Sequence, residues 1–200
     1  VLFADPSQDD PAGDLTLDAM AAGGASRFLF GSTRLHPDFD AGAPLRASQV
    51  PGAFAATAHP AADPQVALLL PYGDAMARFS AIVNITRNED GVLRDVPLRE
   101  VAGDWMLPSL PLRLAAAATG RAPATFGAAI RPNWRQDTRL PHVSAADLLE
   151  DGPPACRGPG DPLPDLRGRI VLLGYTAAGL NDSKPTPVDP VMPGVEVLAE

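Results

Sequence analysis

Two hundred residues, 46% apolar and 20% charged, suffice for one domain with a sizeable buried core, which argues against wholesale disorder despite 23 prolines. A formal charge of −8, with no basic stripe to offset it, argues against nucleic acid and anionic lipid surfaces as partners. The single cysteine, Cys156, permits neither an internal disulfide nor a cysteine zinc site, and reads as an incidental thiol in a proline-rich loop. No apolar run approaches the ~18 residues of a membrane span. The start lacks a signal-peptide pattern, and both termini read as cuts through a longer polypeptide.

In chain order, residues 1–4 read as the end of a buried strand, followed by an acidic turn over 5–13. Asp14 is placed to cap a helix over 15–22, which Gly23 and Gly24 end. Residues 28–30 form a short strand, and 32–62 are turn-rich with one strand near 54–58. A brief helical turn is expected at 74–77, after an apolar run at 68–70. Residues 79–85 and 92–98 are predicted to pair as a hairpin across the Asp90-Gly91 turn, with Pro97 at an edge. A helix runs from Pro108-Ser109 to Thr119, stopped by Gly120, and a second covers 144–150 behind Ser144. After a loop at 151–164, Arg169-Ile170-Val171-Leu172-Leu173-Gly174 reads as a fully buried, parallel-type strand. The expected fold is mixed α/β over residues 1–200 as a single domain. It has a mostly parallel central sheet flanked by helices and one embedded antiparallel hairpin.

Ligands in open α/β sheets settle beyond the carboxyl ends of strands, so the stretch after Gly174, with Thr176, Asn181 and Asp182, is the leading recognition site. It matches neither the phosphate-loop nor the dinucleotide pattern, and its glycines alternatively serve only special backbone angles. Asn84 and Arg94 are further ligand candidates if they point inward; facing solvent is the commoner outcome for such residues. His36, His59 and His142 lie far apart beside prolines, without metalloprotease spacing, and no G-x-S-x-G elbow occurs. The acidic run around Asp5, Asp9 and Asp10 matches no EF-hand loop and reads as a solvated turn. Nothing supplies a nucleophile with its activating base.

The segment FSAIVNITRNEDGVLRDVPL, followed by Pro108-Ser109-Leu110, resembles the second type of CHASE domain. So does the closing series RGRIVLLG, TAAGLND, Thr186-Pro187 and Pro193-Gly194-Val195-Glu196, as does the opening VLFADPSQDDPAGD. The resemblance covers about half of the chain, in the right order; the family's first strand and helix are expected before Val1, and Tyr175 stands where small residues are usual. It implies a sensory module on the periplasmic or extracellular side of a membrane-anchored receptor, joined to adenylate or diguanylate cyclases, histidine kinases or serine/threonine kinases. The resulting expectation is an unknown small-molecule ligand, no cofactor, no catalysis and a homodimer through the receptor as an option. The alternatives are a dimerisation or interaction module that binds no small molecule, and a hydrolase or nucleotide-binding enzyme using the loop after Gly174.

Overall fold

The computed structural model describes residues 3–24, 28–86, 88–134, 141–149, 163–176 and 182–200. Helix α1 (Pro11–Gly23) starts earlier than the sequence suggests, because Asp10 rather than Asp14 is its cap. Proline at the first helical position has its φ preset, and the Asp10 carboxylate accepts from the Gly13 amide at 2.8 Å. Gly24 closes the helix as expected, its amide donating to the Met20 carbonyl. Capping by Asp10 frees Asp14 for contacts outside the helix.

Strand β1 (Phe30–Arg34) is followed by the two-residue strands β2 (Leu45–Arg46), β3 (Phe54–Ala55), β4 (Gln65–Val66) and β5 (Leu68–Leu69). Helix α2 (Asp74–Arg78) leads into β6 (Ser80–Ile82), which lies parallel to β1 with Phe30 opposite Ser80; β5 pairs antiparallel on the other side. Phe30, Ala21, Ala75 and Met76 bury one core cluster between this sheet and the two helices, with Phe3, Phe28 and Tyr72 packed on it.

The class is mixed α/β, but the hairpin is not the expected one. The turn at 88–91 is present, with Gly91 at φ 81°, yet the strands it joins part company. β6 goes to β1, whereas β7 (Val96–Pro97) pairs with β10 (Ala129–Ile130). The actual hairpin lies just beyond it. β8 (Arg99–Ala102) and β9 (Trp105–Pro108) pair antiparallel across Gly103-Asp104, and β3 adds on the far side of β9. Gly103 turns there at φ 59°, and the Asp104 carboxylate receives the Ala61 and Ala62 amides. The end of β9 also touches the first sheet through a parallel bridge from Ser109 to Ile82. Parallel pairing among the described residues is confined to β1–β6 and that bridge.

Helix α3 (Leu110–Thr119) follows the expectation closely: Ser109 caps it, Pro111 sits in its first turn, and Gly120 ends it in the left-handed region. Helix α4 (Ala145–Leu149) lies within the predicted 144–150. Residues 169–174, in contrast, form no ladder, and Ile170, Val171 and Leu173 are 63%, 56% and 62% exposed. An unbroken apolar run states that both faces of a strand favour burial, but not which neighbour covers them. The chain finishes with β11 (Ser183–Lys184), β12 (Met192–Pro193) and α5 (Gly194–Ala199). Met192 and Val197 share a further core cluster with Leu93 and Val96.

Candidate functional site

The two borders of the predicted recognition loop come together on one turn of helix. Gly174 packs against Val195, so closely that a Cβ there would lie 2.5 Å from the Val195 Cβ. The Asp182 carboxylate lies over Gly194, where a Cβ would stand 2.5 Å from its oxygens. The Gly194 amide donates to the Asp182 carbonyl at 2.7 Å, and Lys184 approaches the carboxylate at 3.5 Å. Consecutive residues of α5 therefore carry both ends of the segment. Thr176 and Asp182 are exposed, as a recognition loop needs; Asn181 lies outside the described residues, as does Cys156. His142 reaches the same helix from outside, 3.8 Å from Glu196.

The other two predicted ligand residues are engaged within the protein. Asn84 uses both ends of its carboxamide on Arg34, accepting from the Arg34 amide at 2.7 Å and donating to its carbonyl at 2.8 Å. It continues the β1–β6 ladder one step with a side chain. Arg94 closes the 88–91 turn: its guanidinium donates to Asp90, its amide to the Asn88 side chain, and its carbonyl accepts from the Trp134 indole. The Asn84 carboxamide meets a ligand only by giving up these bonds, whereas the Arg94 guanidinium, 41% exposed, spends one donor on Asp90.

Two features went unread in the sequence. Arg34, at the end of β1, is 9% exposed and forms a two-pronged pair with Asp40 at 2.7 and 2.6 Å. The same guanidinium donates to the Leu35 and Ala67 carbonyls and lies 3.9 Å from Glu100. The hydrogen bond from Arg34 holds the Asp40 carboxyl below its ordinary range, while burial pushes Glu100 up against the pull of the same arginine. No local signal marks this clasp, whose parts come from four separate stretches.

The second feature is a cleft of about 440 Å³ between the start of α1 and the turn before α2, lined by Pro6, Pro11, Leu15, Asp14, Asp18 and Tyr72 among others. Asp14 accepts from the Tyr72 hydroxyl at 2.6 Å and from the Ser7 amide. Asp18, one turn on, accepts from the Ala75 and Met76 amides at 2.9 and 3.0 Å. Burial, with Asp14 and then Asp18 adding to it, pushes the Tyr72 phenol up to about 12. The cleft offers acceptors and apolar surface, but its hydroxyl donor is already spent on Asp14.

With this geometry in place, comparison with known families decides the relationship. A model of the CHASE2 domain matches residues 1–200. The chain belongs to the CHASE2 family. CHASE2 domains are extracellular sensory domains of signalling receptors, and the domain is a sensor rather than a catalyst. No curated protein and no solved structure matches the chain. Among the described residues of this CHASE2 domain, no helix is long and apolar enough to cross a membrane.

Proposed function

We propose that this CHASE2 domain is the stimulus-detecting module of a membrane-anchored bacterial receptor. It binds a small molecule outside the cytoplasm and biases a cyclase or kinase output without performing chemistry itself. The observation that carries the reading is the convergence of Gly174 and Asp182 on Val195 and Gly194. A ligand engaging Thr176, Asn181 and Asp182 would act on a segment whose ends rest on one turn of α5. It shifts the domain between two arrangements only by the difference in its affinity for them.

The test is thermal denaturation against a panel of metabolites. A binding compound at a hundredfold excess over Kd adds about 2.7 kcal/mol and raises Tm by several degrees. The expected result is a shift that Thr176→Ala and Asp182→Asn weaken. A shift that survives both substitutions but is lost in Tyr72→Phe relocates recognition to the cleft beside α1. Silence across the panel, with receptor output unchanged when the domain is deleted, overturns the reading.

A second reading rests on the exposed apolar run of Ile170, Val171, Leu173 and Tyr175. Such a strip suits a dimerisation module that binds no small molecule. Concentration-dependent dimers in sedimentation equilibrium, abolished by Val171→Glu and indifferent to every compound in the panel, would favour it.

A further inference from the structure

Arg113 lies one turn into α3 and its side chain is half-buried. Its Nη1 donates to the Ser80 carbonyl at the start of β6. No described carboxylate pairs with it, and the remaining donors of its guanidinium meet no acceptor among the described residues. Burial alone acts on its pKa, pushing it down. Gly52, at φ 77°, brings its backbone so close to the side chain that a Cβ would stand 3.0 Å from the Arg113 Nε and 3.3 Å from its Cδ. A guanidinium offers five N–H donors in a planar fork matched to carboxylate and phosphate oxygens. Here the fork is half-buried, backed by Gly52 and, among the described residues, bonded only to Ser80, in a chain with 24 carboxylates against 16 cations.

We propose that Arg113 anchors a binding site for an anion bearing a carboxylate or phosphate group. The donors not spent on Ser80 supply the hydrogen bonds, and partial burial raises their worth. The site involves none of the residues of the 174–182 segment, so it stands or falls separately from the recognition site proposed there.

The test titrates the 200-residue chain with sodium phosphate and with sodium succinate at constant ionic strength, sodium chloride serving as control. The arginine Nε–Hε resonances are followed by NMR, and the Arg113 signal is assigned by its loss in Arg113→Lys. The expected result is a saturable movement of that resonance with phosphate or succinate and none with chloride. The variants lack that resonance, so their binding is read by isothermal titration calorimetry: Arg113→Lys should weaken it about tenfold, through loss of the planar fork, and Arg113→Met should abolish it. Parallel co-sedimentation with phosphatidylglycerol and phosphatidylcholine vesicles separates the sources. Arg113-dependent binding to the anionic vesicles, without a response to free anions, assigns the phosphate to a lipid headgroup; a response to free anions assigns it to a soluble ligand. An unmoved Arg113 resonance with no vesicle binding overturns the proposal, as does an equal response in Arg113→Met. Where Arg113→Met does not fold, the wild-type resonance decides.

Discussion

Arg34 carries a largely buried guanidinium at the end of β1 and Arg113 a half-buried one on α3, both in an acidic protein. Around Arg34 the fold gathers Asp40, Glu100 and two carbonyls, and the charge is met within the chain. Around Arg113 it supplies the Ser80 carbonyl and a close glycine turn, and no described carboxylate. Burial acts on both, but the cost falls differently. A paired guanidinium holds separate strands together, whereas one that meets a single carbonyl among the described residues keeps donors for something from outside. The first arginine is scaffold and the second is available for recognition.

The largest expected effect comes from breaking the saturated side of this contrast. Arg34→Met leaves Asp40 and Glu100 without their shared cation and should destabilise the domain by about 3 kcal/mol in urea denaturation. Gly52→Ala, next in size, places a Cβ at a left-handed position and against the Arg113 Nε. It should cost about 1–2 kcal/mol, measured the same way, and displace the Arg113 side-chain resonance. Arg113→Met, in contrast, removes a half-buried cation while keeping an apolar stem. Stability should be unchanged or raised by up to about 1 kcal/mol, and a loss like that of Arg34→Met would erase the distinction between the two sites.

The smallest effect sharpens the comparison through pH. The folded Asp40 pKa is depressed, so its contribution is present above the unfolded pKa and fades as pH falls through the folded value. The folded Glu100 pKa is raised, so its contribution has the opposite sign: present below the unfolded pKa, it is lost as pH rises through the folded one. Glu100→Gln should therefore flatten the stability profile just above the ordinary carboxylate range, and Asp40→Asn the profile below it. Urea midpoints across an acidic pH series measure both.

Where determinants are local, the sequence predicts the fold well. Ser109, Pro111 and Gly120 define α3 within a dozen residues, and the CHASE2 resemblance reads straight off the order of its motifs. Partner choice is another matter. Asp90-Gly91 announces a turn truthfully, but whether its flanks pair depends on β1, fifty residues earlier, taking β6 away. Gly103-Asp104 carries an equally plain hairpin signal between apolar residues that went unread. At the candidate site, the 174–182 segment was visible as polar residues after an apolar run. Its docking on Gly194 and Val195 was not, because glycine contacts leave no mark in composition. Arg113 is equally silent, since what distinguishes it is the absence of a described acidic neighbour in three dimensions.

Asn84 carries a chemical vulnerability. Its carboxamide both receives from and gives to the backbone of Arg34, so it stands in for a peptide unit that the sheet lacks there. Slow hydrolysis of that amide to an acid would keep the acceptor, delete the donor and turn a second oxygen toward the Arg34 carbonyl. An aged preparation would then loosen first at the end of β1, fifty positions away from the altered atom.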